Sequence, residues 1–322
     1  MFNSGLRRIL IIGLLLSSLS SRVDAEITSP ADVTLEELSA APLIYVSDYF
    51  SFVGQDSQGY VALALDNNRG RDGESYQAEH FLVLHDERHG WVNLAGNGPY
   101  ENGSKELQAI PDSSFFQFQG TPKTGMTITS DTNRLTLRID AIPQRTGNRH
   151  NGAVTWMGSA SAVLTWNGRT IAGGVIYEYL MKPNFNRLTR TYWGMWKEFQ
   201  GLYLRAETTG DVYVHSQRSE RMAPLVGMIA GFATFDDLTE SMENLTVEPL
   251  NREWALGFYR WPTAWRITWT GSNGPALLTL TQSERKPIAN WVIGGFSMGI
   301  VRGELEYAGK KQSVYGLAEL IM

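Results

Sequence analysis

Short runs in which apolar and polar residues alternate recur along this 322-residue chain, each closed by a cluster of Gly, Asn or Asp. The first half contains LIYVSDYFSF (43–52), GYVALAL (59–65), HFLVL (80–84), GWVNL (90–94), SFFQFQG (114–120), GMTITS (125–130) and RLTLRID (134–140). A period of two sends successive side chains to opposite faces of a strand, and a helix cannot satisfy it. Between the runs, Asp66-Asn67-Asn68-Arg69-Gly70, Asn97-Gly98 and Asn102-Gly103 offer the residues that hairpin turns require. After GAVTWMG and SAVLTWNG, the stretch 169–181 completes the first half, and KPNFNRLTR (182–190) reads as a linker. The alternation restarts in TYWGMWKEFQGLYLRAE (191–207) and runs through DVYVHSQ, PLVGMIAGFATF, ALGFYRW, AWRITWT, ALLTLTQ and GFSMGIVRGELEY to a closing SVYGLAELIM. Helical periodicity is confined to TLEELSA (34–40) and FDDLTESME (235–243), expected as short connecting or plugging helices.

An all-β class follows, and the composition agrees: charged residues are only 19%, while Gly numbers 32, Trp 10, Tyr 13 and Phe 13. A net charge of −5 without any basic block gives nucleic acid no footing as a partner. The chain has no Cys, which removes disulfides and thiol chemistry. At the N-terminus, Arg7-Arg8 precede an apolar run from Ile9 to Leu19 and then Val23-Asp24-Ala25, the pattern of a secretory signal over 1–25 with cleavage before Glu26. That run is too short to span a bilayer, so export is expected, periplasmic or secreted, with no stable membrane span after cleavage. The remaining 297 residues (322 − 25) divide naturally into a first β-barrel unit at 26–181, a linker at 182–190 and a second unit at 191–322.

One internal echo supports two related units. LTWNGRTIAGGVIYEYLM (164–181) and LEYAGKKQSVYGLAELIM (305–322) align without gaps at an offset of 141 (305 − 164), matching Leu164 with Leu305, Gly168 with Gly309, Glu178 with Glu319 and Met181 with Met322. Each copy ends its half, so each is expected as a final strand that returns to close its own sheet and removes exposed edges. Glu178 and Glu319 read as framework residues, because a catalytic acid is rarely needed twice. With this Gly…Glu closing strand, and Trp193-Gly194-Met195-Trp196…Phe199 opening the second half, the chain resembles the tandem-lipocalin superfamily of carotenoid 1,2-hydratases, kievitone hydratase and fungal Diels–Alderases. The resemblance covers most of the mature chain and lies in framework residues. It implies two tandem lipocalin-like β-barrel or sandwich units, more than it implies a reaction.

Two motif matches fail on context. HDERH (85–89) spaces His85 and His89 as zinc proteases do, but that spacing needs a helix, and here it joins two strand patterns as a solvated, charged hairpin. GFSMG (295–299) centres Ser297 as serine hydrolases do, yet no His follows His215 and a strand pattern comes next, so a Gly-rich bulge or hairpin is expected. No metal site or phosphate cofactor is expected.

The candidate site residues come from side chains out of keeping with their face. In LIYVSDYFSF, Asp48 shares a face with Ile44, Val46, Phe50 and Phe52; a carboxyl alone among apolar groups has its charged form disfavoured and can give up a proton. The alternative is pairing with an Arg at a barrel rim. Glu198, on a face with Trp196, Leu202 and Leu204, is the second unit's nearest counterpart. His80 shares a face with Leu82 and Leu84, and Glu79 with Phe81 and Val83. In RWPTAWRITWT (260–270), Trp265 and Trp269 flank Ile267 on one face, with Arg260 just before. Such aromatics serve a core or line a ligand pocket, where each ring stabilises a cation by roughly 0.5–2 kcal/mol.

Together with the resemblance, these residues point to an exported enzyme that hydrates or cyclises an apolar, prenylated or polyene-like small molecule by proton donation, without a cofactor. Asp48 and Glu198 are the expected acids, Trp196, Trp265 and Trp269 the walls, and His80 and Arg260 the orienting groups. The competing reading is an extracytoplasmic carrier that holds such a molecule unchanged, and carbohydrate binding through rim aromatics is a third.

Overall fold

The structure is a computed structural model that describes residues 41–321 except 102, 104, 106, 143–145, 151–152, 184–197, 208–209, 219–226, 236–237, 255–259 and 291–294. The signal over 1–25, the TLEELSA stretch, the linker from 184 to 190 and Trp196 therefore lie outside the described residues, whereas Lys182 and Pro183 belong to a strand rather than a linker.

The described chain is all-β. The first sheet is built from β1 (Leu43–Asp56), β2 (Gly59–Asp72), β3 (Ser75–Asp86), β4 (Gly90–Val92), β5 (Gly98–Tyr100), β6 (Gln117–Thr121), β7 (Gly125–Ser130), β8 (Leu135–Ile139), β9 (Thr146–His150), β10 (Ala153–Trp166) and β11 (Arg169–Pro183). The second has β12 (Glu198–Ala206), β13 (Gly210–Arg218), β14 (Gly227–Phe235), β15 (Leu238–Ser241), β16 (Glu243–Trp254), β17 (Arg260–Gly271), β18 (Gly274–Asn290), β19 (Gly295–Tyr307) and β20 (Lys310–Ile321). Their orders are β4-β3-β2-β1-β11-β10-β8-β7-β6 and β15-β14-β13-β12-β20-β19-β18-β17-β16, all neighbours antiparallel. In each sheet the final strand returns beside the first.

That return does not seal a cylinder. Among the described residues the ladders end at β4 and β6 in one sheet and at β15 and β16 in the other, so each is a curled, open half-barrel. Each concave face encloses its own core. Ile44, Phe50, Leu63, Leu82, Trp156 and Tyr177 belong to the first, and Leu202, Trp265, Ile267, Leu278 and Val301 to the second. A side chain of this size contributes about 1.5–3 kcal/mol when fully buried.

The alternation in β1 predicts one wet face, yet every residue from Leu43 to Gly54 is buried. The convex faces explain this, because the two sheets pack back to back. Tyr49, Val53, Ala62, Ala64, Val83 and Ile176 of the first sheet meet Tyr203, Tyr213, Met298, Ile300, Tyr315 and Leu317 of the second. Ring pairs cross the junction at 4.8 Å for Tyr49–Tyr203, 4.4 Å for Tyr60–Tyr315 and 5.0 Å for Phe81–Phe296.

Three local expectations change. Asp66–Gly70 is not a turn but lies within β2, because its polar side chains find buried partners on both faces. FDDLTESME contributes the strand β15 rather than a helix; pairing Thr234 with Thr239 and Phe235 with Leu238 outweighs a short stretch's helical preference. The HDERH hairpin is present, with His89 on a turn, but His85 and Asp86 are buried. Arg169 bonds Asp86, and the His85 ring stands 3.1 Å from the Tyr315 hydroxyl across the junction. GFSMG lies inside strand β19.

Register also extends the echo. Glu178 lies opposite Tyr49 and Glu319 opposite Gly201, and the offset of 141 continues upstream to Met157/Met298 and Gly158/Gly299 in β10 and β19. Backbones approach closely at these returns. A Cβ on Gly316 would overlap the Tyr203 carbonyl oxygen, whereas Gly309, at φ 73° in the turn before β20, has open space around it. Gly316→Ala is expected to cost upward of about 2 kcal/mol in urea unfolding, and Gly309→Ala only about 1 kcal/mol, from backbone strain alone.

Candidate functional site

Two polar clusters lie on opposite faces of β1 and β11. The inner one follows from a single row of the first sheet, in which register aligns His80, Asn67, Asp48, Tyr179 and Trp156 across five strands. Asp48 does not stand alone there. The Arg69 guanidinium, two residues along β2 from Asn67 and wholly buried, donates to its Oδ2 at 2.6 Å, and the Tyr177 hydroxyl donates to its Oδ1. The lone-acid expectation is thus corrected, since the cation that a buried carboxylate needs comes from a segment that reads as a turn.

Arg69 ties the row together. Its Nε donates to the Leu107 carbonyl at 2.8 Å, and its Nη1 reaches Asn67 Oδ1 at 3.3 Å. Asn67 Nδ2 then donates to Tyr100 Oη at 2.9 Å and faces His80 Nδ1 at 3.4 Å, while His80 Nε2 lies 2.9 Å from Ser113 Oγ. This pattern assigns the imidazole proton to Nε2. Burial pushes His80 down to about 4, so it is neutral near pH 7, stacked on Tyr100 at 4.2 Å. Burial alone would lower Arg69, but the Asp48 charge and hydrogen bond outweigh it and hold it above the ordinary arginine value. Asp48, Arg69, Asn67 and His80 thus form one hydrogen-bonded network closed to solvent.

The outer cluster sits at the junction between the sheets. Glu178 and Glu319, the echoed pair, point there from β11 and β20, and the Tyr203 hydroxyl lies between them, 3.4 Å from Glu178 Oε2 and 3.3 Å from Glu319 Oε2. Tyr213 donates to Glu178 Oε2 at 3.0 Å. Glu178 is surrounded by protein on all sides yet keeps part of its surface accessible, as does Glu319, which marks a gap in the packing. Burial raises Glu178 to about 7, opposed by the Tyr213 hydrogen bond and reinforced by the Asp66 charge. A carboxyl group raised toward neutrality thus stands beside a second carboxyl group and three phenols, counting Tyr49.

The remaining expected residues do not converge on either cluster. Trp265 and Trp269 are buried in the second core, where Trp265 Nε1 donates to Gln200 at 2.6 Å. Arg260 is exposed, bonding the Arg252 carbonyl at 2.9 Å and lying 5.7 Å from the Trp254 ring, too far out to orient anything inside. Glu198 is paired with Arg218 across the β12–β13 ladder, and its side chain lies outside the described residues. By register the residue equivalent to Asp48 is Gln200, because Tyr49 and Gly201 both face the echoed glutamates. A cleft of about 510 Å³ opens at the junction farther along β1, lined by Gly54, Tyr60, Arg138, Asp140, Arg205 and Glu207 among others; it is charged rather than greasy. Among the described residues, no group of three or more His, Cys, Asp or Glu could hold a metal ion, and no helix is long and apolar enough to cross a membrane.

Arg69→Met strands the Asp48 carboxylate in an apolar interior and is expected to cost about 3–5 kcal/mol in urea unfolding; adding Asp48→Leu should restore most of it. Glu178 has the opposite signature. Its native value, about 7, lies above its ordinary 4.5, so its contribution is full below about 4.5 and lost as pH rises through 7. Glu178→Gln should therefore gain on the natural protein across that window, read from unfolding midpoints at pH 5 and pH 8.

No protein-family model matches the sequence, and no curated protein matches it. Solved structures do. Kievitone hydratase from Nectria haematococca aligns with a TM-score of 0.56 at 12% identity, covering 93% of this chain and 94% of that one. An AttH-type protein from Nitrosomonas europaea gives 0.59 at 8% identity, over 88% and 93%, and CghA with Sch210972 gives 0.52 at 10% identity, over 87% and 88%. Identities this low speak for architecture alone, and it is the one that the closing strands implied: the chain has the tandem-lipocalin fold.

Proposed function

We propose that this chain is an exported enzyme that protonates an apolar, prenylated or polyene-like small molecule at the junction of its two units, with hydration or cyclisation following. The observation that carries the reading is Glu178, an accessible acid near pKa 7 held by Tyr213 and Tyr203 opposite Glu319. A general acid works best when its pKa lies near the working pH. Asp48 cannot compete for the role, since Arg69 and Tyr177 occupy its oxygens and it is closed to solvent.

In this reading Glu178 gives its proton to an alkene carbon, the Tyr49, Tyr203 and Tyr213 rings face the resulting cation, and Glu319 orients the water or internal nucleophile that completes the step and takes up the released proton. The fold shared with kievitone hydratase supports a hydratase over a carrier, and the sequence pattern at 1–25 supports export.

The test incubates the purified chain with prenylated flavonoids and linear polyenes and follows products by mass, seeking gain of one water or an isomer of unchanged mass. Conversion should fall as pH rises above about 7, because the acid form of Glu178 is consumed. Glu178→Gln should lower kcat by about 10²–10⁴ with the fold intact. A folded variant that turns over at the natural rate would remove Glu178 from the mechanism. Substrates bound yet recovered unchanged would favour the carrier.

A further inference from the structure

The two half-barrels share a framework but fill it differently. In the first, the inner row Asp48–Tyr179–Trp156 and the next row Phe50–Tyr177–Gly158 are packed with large rings around a closed ion pair. The equivalent rows of the second are Gln200–Leu320–Ser297 and Leu202–Ala318–Gly299. Serine thus stands where the first unit has Trp156, alanine where it has Tyr177 and leucine where it has Tyr179. Trp265 recovers part of this volume by reaching Gln200.

Polar atoms bordering these smaller side chains are unsatisfied. Ser297 is 2% exposed and its Oγ has no hydrogen-bond partner. Gln282 Oε1, which occupies the place that a Gly299 Cβ would take, 2.6 Å from that position, is likewise unpartnered. Arg285 pairs with Gly299 across the ladder and therefore projects to the same inner face. Its Nη1 is buried without a partner, it forms no ion pair among the described residues, and its guanidinium lies 5.9 Å from the Trp261 ring. The first unit neutralises its inner arginine with Asp48, whereas the second has an inner arginine and, at the matching position, the neutral Gln200.

We propose that the inner face around Ser297 and Arg285 is a second binding site, which takes the carboxylate of an apolar molecule. The anion accepts hydrogen bonds from Arg285 and Ser297, and the apolar body lies along Trp261. One guanidinium, with no ion pair among the described residues, suits a monoanion rather than a phosphate. The site is separate from the junction acid and does not depend on the reaction proposed there.

Calorimetric titration of the full chain with trans-cinnamate and with its neutral amide tests it. Cinnamate should bind about tenfold more tightly or better, the worth of one charge-assisted hydrogen bond. Arg285→Gln should erase that preference, while Glu178→Gln should keep it, so that failure of this site and of the junction site are told apart. Ser297→Trp, which installs the indole of the first unit, should abolish cinnamate binding with the β circular-dichroism signal intact, and it decides the matter if Arg285→Gln does not fold. Equal affinity for acid and amide, no binding of either, or natural cinnamate affinity in folded Ser297→Trp overturns the proposal.

Discussion

Everything functional in this molecule depends on the return of each final strand onto the first strand of its unit. Pairing β11 with β1 sets Asp48 opposite Tyr179 and Tyr49 opposite Glu178, so one register decides what enters the core and what faces the neighbouring unit. A slip of one residue would exchange those faces and bring the junction acid into a closed interior. Pairing β20 with β12 does the same for Glu319. Because first and last strands become central neighbours, the ladder ends fall in the middle of each sequence half, at β4 and β6 or at β15 and β16. The most buried strands are therefore the ones that can carry unusual side chains at fixed positions on both faces.

Those two faces treat charge in opposite ways. Inside the first unit, Asp48 and Arg69 neutralise one another and their remaining hydrogen-bonding capacity is used by Tyr177, Asn67 and the Leu107 carbonyl. Such a network has little chemical freedom, since moving a proton from it leaves a buried ion unpaired. At the junction, the hydrogen bonds to Glu178 come from the phenols of Tyr203 and Tyr213, and burial raises it toward neutrality. Phenolic donors stabilise the carboxylate without locking it. The difference between the charge-paired carboxylate and the phenol-bound one here is the presence or absence of an arginine.

The strands themselves were legible in the sequence, because alternation and turn residues are local, and so was the repeat, because Glu178 and Glu319 keep the same place in the returning strand. The site was less so. Asp48 and His80 were visible as polar residues on apolar faces, and the structure links both through Arg69 and Asn67. That link was hidden because Asp66-Asn67-Asn68-Arg69-Gly70 has the composition of a turn. Extending the alternation of Leu63 and Leu65 two steps further would have placed Asn67 and Arg69 on Asp48's face. Glu178 was read as framework for a sound reason, duplication, but its environment comes from Tyr203 and Tyr213, which belong to the other sheet. No single-strand pattern reports a partner across a junction. Alternation likewise places Trp265 and Trp269 inside, but it distinguishes inner from outer and not a wall from a filling.

Duplication explains why two such units can diverge without losing their shape. The glycines and the returning strands are common property, so the interior side chains are free to differ as long as volume is recovered. Trp156, Tyr177 and Tyr179 fill the first unit from β10 and β11, whereas Trp261 and Trp265 fill the second from β17. Ser297 of β19 and Gln282 and Arg285 of β18 lie on the inner face of the second with polar atoms unspent. Buried polar atoms without partners are costly, and they persist most readily where a ligand completes them. On that argument the two interiors have diverged within one framework, the first filled by rings around the Asp48–Arg69 pair and the second keeping Ser297, Gln282 and Arg285 on its inner face.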